Sequence, residues 1–330
     1  QTSFLWIGIG ESLIPGDLYL AGLARLIGSP GVCFIIIFFG FWIFFISERW
    51  KRKLNFSKVF FAGIVTIFCF HLIGGYLIQP DNVRDSLYPI AIWQTNIPTR
   101  EKFFKDNQKT TDQILVEQEK ALSMDARLLV VPEGTLKTNF QFQKPNKINT
   151  LIGGFRTEKN SIRNSLLAFK KGDKFYSKFI DKFRLVPLGE SIPIVFHKFL
   201  NLSALGGIEP GNQKRYFEWD NSPSFAAIIC YEITNGLMIK NAVQDGSEFI
   251  LAIANLDPYP TKIFNQYLSL VRMRSIENNI DTVISSNTGP SGLIRNDGRI
   301  DKLMESNKED NQVVYAHLLN KKTFYTNYGI

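Results

Sequence analysis

Residues 225–234 read FAAIICYEIT: five apolar residues, Phe225 to Ile229, run uninterrupted into Cys230, Tyr231 and Glu232, and a helix is expected from about Thr234. A short run that is apolar at every position, not at every second one, suits a strand covered on both faces. Strand, tight turn and helix in this order are one unit of an α/β layered domain. The same texture recurs outward along the chain. Pro89–Gln94, Arg127–Val131, Leu151–Phe155, Asn164–Phe169, Glu248–Ile253 and Thr282–Ser286 read as strands. Arg100–Met124 and Thr261–Asn279 read as helices, the second with Phe264, Leu268 and Val271 on one face. There is no internal repeat or low-complexity tract, and Ser306–Asn311 reads as a polar loop.

Ahead of Ser86 the composition is different. Val32–Ile46 reads VCFIIIFFGFWIFFI, and with the uncharged Leu26–Gly31 before it the run reaches about 30 Å as a helix. Pro30 stands where a first helical turn tolerates it. Val59–Ile78 is a second run whose ionisable side chains are Cys69, His71 and Tyr76. Two membrane spans, 31–47 and 59–78, are expected. Between them residues 48–58 carry Arg49, Lys51, Arg52, Lys53 and Lys58 against Glu48, a net +4. A basic loop between spans belongs on the cytoplasmic side. That places an interfacial segment, residues 1–30, and a large domain, residues 79–330, on the opposite side.

The chain has 330 residues, 45% hydrophobic and 21% charged, which excludes a disordered protein. Its net charge is +8, of which the domain after residue 78 holds only +5, too dilute for a nucleic-acid footprint. Of the three cysteines, Cys33 and Cys69 lie in the spans and Cys230 stands alone, so neither a disulfide framework nor Cys/His metal spacing is present.

Cys230 ends a strand ahead of a helix, where a turn projects the side chain and brings the next backbone N–H to the same point. On spacing alone a buried structural cysteine fits equally. A nucleophile needs a group that generates its thiolate. The histidines offer little: His71 lies in a span, His197 in the apolar stretch Ile194–Leu200, and His317 in a strand-like run near the C-terminus. Glu133 follows Leu128–Val131 and Pro132 at a strand end, although a solvated loop carboxylate reads the same. Lys182 precedes Leu185-Val186-Pro187, but Lys171, Lys174 and Lys178 are close by, and spacing does not choose among them.

Taken together, Pro132-Glu133-Gly134-Thr135, the string Lys182 to Glu190 (KFRLVPLGE) and Ile229-Cys230-Tyr231-Glu232 resemble, in order, the Glu-Lys-Cys triad of the nitrilase superfamily. More narrowly, the chain resembles the apolipoprotein N-acyltransferase family of bacterial membrane enzymes. Gln94-Thr95-Asn96-Ile97-Pro98, Asn164-Ser165, Arg274-Ser275-Ile276-Glu277-Asn278, Ser286-Asn287-Thr288-Gly289 and Asn296-Asp297-Gly298-Arg299 add to the likeness, which runs over essentially the whole chain.

The resemblance implies a nitrilase-like αββα sandwich behind two transmembrane helices. It implies Cys230 as the nucleophile that carries an acyl thioester and Glu133 as the general base. Lys182 would stabilise the thiolate and the oxyanion together with the Tyr231 backbone N–H, and Glu190 and Glu232 would support the triad. It further implies a phospholipid acyl donor, a diacylglyceryl-modified apolipoprotein acceptor, and no metal or organic cofactor. The setting would be the bacterial inner membrane, multi-pass, with the domain on the periplasmic side. A membrane-tethered amidase using the same triad with water is the alternative. Apolar residues Phe196, Phe199, Leu200 and Leu202 are candidates to cover the intermediate or to pack in the core. The family usually has more spans, so a chain from Gln1 to Ile330 reads as clipped at both ends. The family's common Tyr two before the lysine is Ile180 here, and its Pro-Phe-Gly-Glu has Leu188.

Overall fold

The first strand of the domain shows how the sequence builds its layers. In a computed structural model, describing residues 7–79, 86–99, 101, 107–138, 140–159, 161–187, 189–190, 207–318 and 321–329, β1 (Leu87–Gln94) turns Ile90 and Ile92 to one side and Ala91 and Trp93 to the other, and all four are buried. Successive side chains of a strand point oppositely, so a strand apolar on both faces must lie in a covered sheet. Around β1 run β2 (Leu128–Leu136), β3 (Asn149–Glu158), β4 (Ser161–Phe169), β5 (Lys178–Asp181) and β12 (Asp310–His317), in the order β12-β1-β2-β3-β4-β5. The centre β1, β2, β3 is parallel, with Ile90 beside Leu128 and Leu128 beside Asn149, and the flanking pairs are antiparallel.

A second sheet repeats the scheme in the order β11-β10-β9-β8-β7-β6: β6 (Tyr216–Phe217), β7 (Phe225–Ile229), β8 (Phe249–Ala254), β9 (Thr282–Ser286), β10 (Gly292–Ile294) and β11 (Ile300–Leu303). Its centre, β7, β8 and β9, is parallel and buried at every position. Ile90, Ile92, Leu128, Val130 and Leu166 of the first sheet share one core with Ala226, Ile228 and Leu251 of the second, so the sheets pack face to face. Ala91, Trp93, Leu129 and Val131 instead meet Ile114 and Leu115 of α5 (Asn107–Ser123). On the far side, α6 (Gly236–Gln244) and α7 (Thr261–Asn278) cover the second sheet with Ile239, Val243, Leu270 and Val271. The four layers are α, β, β, α.

Each expected strand is present, with shifted limits. β2 continues past Glu133 to Leu136, and residues 230–234 form a single 3₁₀ turn before α6 in place of an immediate α-helix. Asp310 and Asn311, expected in a loop, begin β12. β5, β6, β10 and β11 were not anticipated: they are two to four residues long, and β11 is exposed throughout, so no apolar period marks them. In the expected helix over 100–124, residues 100 and 102–106 lie outside those described.

Four helices precede the sandwich: α1 (Ile9–Ser12), α2 (Leu18–Ala21), α3 (Ala24–Lys51) and α4 (Ser57–Leu77). α3 breaks at Gly28, whose φ of 66° and ψ of 177° are open to glycine, and the ring of Tyr325 in α8 (Phe324–Tyr328) fills the space a side chain would take. Pro30 therefore opens the long segment, where it displaces no helical hydrogen bond. α3 and α4 are long and apolar enough to cross a membrane. Phe34, Phe41 and Phe61 stand 68–70% exposed on them, an apolar surface that suits lipid and not water.

The described part of the expected interfacial segment, residues 7–30, is bonded onto the sandwich. Ile14, Leu20, Leu23 and Val32 pack on Met273 and Ile276 of α7. Under them Arg274 meets Glu11 at 2.5 Å and Glu277 at 2.9 Å, and the Ser29 N–H donates to Glu277 at 2.6 Å, all buried. Burial works against the Arg274 charge, but Glu277 and Glu11 outweigh it and hold its pKa above the ordinary arginine value.

Candidate active site

Three side chains far apart in sequence meet at one end of the parallel strands. Glu133 lies in β2 where the register with β3 slips between Val131 and Leu136. Gly153 on β3 faces that slip so closely that a Cβ there would overlap the Glu133 backbone. Lys182 follows β5 and is tied on both sides of its peptide: its N–H donates to the Asn164 carbonyl at 2.7 Å, and its carbonyl accepts from the Gly211 N–H at 2.8 Å. Cys230 follows β7 with φ at +51°, in the left-handed region that a non-glycine residue occupies at a cost of about 1–3 kcal/mol. A sharp turn out of a central strand forces that conformation and aims the thiol across the sheet ends.

The three form one buried cluster. Lys182 Nζ lies 2.9 Å from Glu133 Oε1 and 2.8 Å from Glu190 Oε2. Cys230 shares this buried cluster, and the charge of Glu133 acts on its thiol. Glu190 is anchored in turn by the Val186 N–H at 2.8 Å. Lys182 and Cys230 are 1–2% exposed and Glu133 is 5% exposed.

Burial opposes the charge on Lys182, but the Glu133 and Glu190 carboxylates beside it prevail and hold its pKa well above the ordinary lysine value. Burial also raises Glu190, yet Lys182 and the donors on that carboxylate bring it below the usual range. Cys230 goes the other way. The expected effect of a nearby cation, a lowered thiol pKa, is present, but burial and the charge of Glu133 exceed it and the thiol sits well above its ordinary value. The resting group is a protonated thiol in a cluster with a carboxylate.

The other two expected supports act at different ranges. The Tyr231 ring lies under the Arg184 guanidinium, 5.2 Å away, and its backbone N–H directly follows Cys230 in the turn. Glu232 is wholly buried. It accepts from the backbone N–H of Ile229 at 2.8 Å and of Phe183 at 2.7 Å and from Arg215 at 3.0 Å. One carboxylate thus fastens the peptide after Lys182 to the peptide before Cys230, and Glu232 positions both without touching either.

Sequence reasoning missed a further set. Asn164 donates through Nδ2 to Glu133 Oε1 at 2.7 Å and to Glu190 Oε1 at 3.0 Å, bridging the two carboxylates opposite Lys182. Its motif was visible but not its role, since its partners lie 31 and 26 residues away. The Asn255 N–H donates to Glu133 Oε2 at 2.8 Å, and Asn287, bonded to Asn255, Thr95 and Ile97, fixes that loop. Burial raises the pKa of Tyr259 and Tyr267. His317 pairs with Asp281, away from the cluster, and His71 with Asp17. His197 and the apolar residues at 196, 199, 200 and 202 lie outside the described residues.

Two packed, partly parallel sheets between helices, with Glu, Lys and Cys at the sheet ends, define a nitrilase-superfamily sandwich. A Saccharomyces cerevisiae member of branch 10 of that superfamily matches with a TM-score of 0.53 at 15% identity, over 70% of this chain and 90% of its own. A Nesterenkonia amidase of the superfamily matches with a TM-score of 0.52 at 17% identity, over 71% of this chain and 92% of its own. No protein-family profile matches the chain. Among curated relatives, the apolipoprotein N-acyltransferase of Prochlorococcus marinus subsp. pastoris is 53% identical over the whole chain, which spans 66% of that protein. The protein of the same name from another Prochlorococcus marinus strain is 39% identical, and the chain spans 67% of it. The chain belongs to the apolipoprotein N-acyltransferase family. It spans about two thirds of the length of the curated relatives it matches.

Proposed function

We propose that this chain carries the catalytic part of an apolipoprotein N-acyltransferase, with Cys230 as nucleophile, Glu133 as general base and Lys182 as the cation that stabilises developing negative charge. The observation that carries this is one buried cluster of Cys230, Glu133 and Lys182, in which the Glu133 carboxylate holds Lys182 at 2.9 Å. In the first half-reaction the thiol proton passes to Glu133 as sulfur attacks an ester carbonyl of a phospholipid. Lys182 and the Tyr231 N–H face the oxyanion, the C–O bond breaks, and the lysophospholipid oxygen takes the proton from Glu133. In the second, the amino group of a diacylglyceryl-modified cysteine attacks the thioester and releases its proton to Glu133. The C–S bond breaks and the returning sulfur is reprotonated. Glu190 holds Lys182, and Glu232 holds the two loops. The basic loop between α3 and α4 supports a cytoplasmic position for residues 48–58, with spans at 31–47 and 59–78 and the domain from 79 onward on the periplasmic face of a bacterial inner membrane.

The test is peptide-level mass spectrometry of the detergent-solubilised chain after incubation with phospholipid. A fatty-acyl increment on Cys230 that a diacylated lipopeptide discharges as an amide is the expected result. An increment discharged only to free fatty acid by water would assign the chain to hydrolysis, and no increment would overturn the thioester.

Asn164→Ala is expected to lower the acylation rate about 10- to 100-fold, the cost of one charge-assisted hydrogen bond at Glu133, with Lys182 still in place. Single-turnover acylation of Cys230 measures it. A rate within twofold of the parent would remove Asn164 from the positioning of the base.

A further inference from the structure

A cavity of about 550 Å³ opens where the apolar helices meet the sandwich, and none of its lining residues belongs to the Glu-Lys-Cys cluster or its hydrogen-bond partners. Gly75 and Ile78, at the end of α4, form one wall, and Ile14 and Leu18 form another. Arg272 of α7 and Arg299 supply the polar side. Arg272, eleven residues after Thr261, lies about 16 Å along α7 at 1.5 Å per residue.

The charges in this cavity are unevenly satisfied. Asp17 accepts from the Leu20 N–H at 2.9 Å and pairs with His71 at 2.6 Å. Asp297 accepts from the Arg299 N–H at 2.9 Å and its Nε at 2.5 Å. Arg272 spends only Nε, on the Gly298 carbonyl at 2.7 Å, and its two terminal nitrogens have no partner among the described residues. Burial lowers the pKa of Arg272, with Asp297 alone opposing. A half-buried guanidinium with two parallel donors unspent is a fork shaped for a phosphate. Its position at the end of an apolar helix, beside aliphatic walls, gives that phosphate a hydrocarbon tail to accompany it.

We propose that this cavity binds the headgroup phosphate of an anionic glycerophospholipid, held by the terminal nitrogens of Arg272, with the first acyl carbons against Ile14, Leu18 and Ile78. The inference rests on the membrane placement above. The cavity shares no lining residue with the catalytic cluster, and a lipid held there would brace the seam between helices and sandwich.

Native mass spectrometry of the Cys230→Ala chain, released from nanodiscs of mixed phosphatidylglycerol and phosphatidylcholine, tests this independently of acyl transfer. The parent is expected to retain one more phosphatidylglycerol than Arg272→Gln, whose retention falls about tenfold, and Arg272→Lys is expected to keep most of it. Three results would overturn the proposal: equal retention in Arg272→Gln, no preference for phosphatidylglycerol over phosphatidylcholine, or displacement of the lipid by millimolar inorganic phosphate, which would make this a free-anion site. Should Arg272→Gln fail to fold, the comparison of the parent with Arg272→Lys in phosphatidylglycerol and phosphatidylcholine decides, and absence of a headgroup preference in both sinks it. Failure of the acyl-transfer reading would show separately, as a missing acyl increment on Cys230 in the chain that keeps its cysteine.

Discussion

A Cys230→Ser chain is expected to lose acyl transfer by on the order of 10⁴-fold or more while keeping its fold and melting temperature. The loss follows from the state of the thiol. Burial and the neighbouring carboxylates keep it protonated at rest, so reaction depends on handing that proton to Glu133 as sulfur attacks. A hydroxyl at the same place presents a far weaker acid to the same base, and an alkoxide gains less than a thiolate from being spread over a large, polarisable atom. Stability is spared because the position is held by its backbone: the β7 ladder before it and the Glu232 carboxylate bonded to the Ile229 N–H fix the turn whatever side chain follows. A sharper form of the prediction uses the +51° φ. Cys230→Gly should be inactive yet melt higher than the parent, since glycine relieves a strain of about 1 kcal/mol or more that function requires. Thermal melts and single-turnover acylation read both. A lower melting temperature for Cys230→Gly would mean that the turn carries no strain and that the cysteine is there for packing.

The central strands were legible because they are covered on both faces, which leaves an unbroken apolar string such as Phe249–Ala254. The edges were not, because an edge strand such as β11 has neither face to bury and its residues, Ile300 to Leu303, carry no period. Glu133, Lys182 and Cys230 were singled out through the order of their motifs, and the structure brings them together, but their wiring was not legible. Hydrogen bonds from Asn164 to Glu133 and Glu190, or from Arg215 to Glu232, join residues that only sheet register brings together. Glu232 illustrates the limit: a support role was expected two residues after Cys230, but only the fold shows the backbone N–H groups of Ile229 and Phe183 that it braces. The two long apolar helices were legible from hydropathy, whereas the docking of residues 7–30 depends on Glu11 finding Arg274 across 263 residues.

Lys182→Met is expected to cost about 10³-fold in transfer rate and, more tellingly, to reverse a pH dependence. Two carboxylates, Glu133 and Glu190, share the Lys182 ammonium and the Asn164 amide in a site closed to water. With the lysine present, Glu190 titrates below its ordinary value, so its contribution to stability is complete above about pH 4.3 and is lost only as pH falls through the lowered folded value. Lys182, raised well above about 10.4, contributes fully below that pH and is lost only as pH rises through the folded value. The neutral range lies inside both windows. Removing the ammonium leaves burial as the main influence on a pair of facing carboxylates, and such a pair keeps one proton between them. The sign for Glu190 then inverts: its folded pKa rises above the unfolded one, and the variant becomes more stable as pH falls from 8 toward 5.5, where the parent is flat. A proton shared with Glu133 also occupies the base that must take the thiol proton, so the acid limb of the transfer rate moves to higher pH as the rate itself falls. Lys182→Arg, which keeps the charge, should retain the parent's stability profile even if geometry lowers its rate. Melting temperature against pH for the three chains decides the matter. A Lys182→Met chain as flat as the parent between pH 5.5 and 8 would show that the lysine does not set the ionisation of the pair, and its part in catalysis would then be confined to the oxyanion.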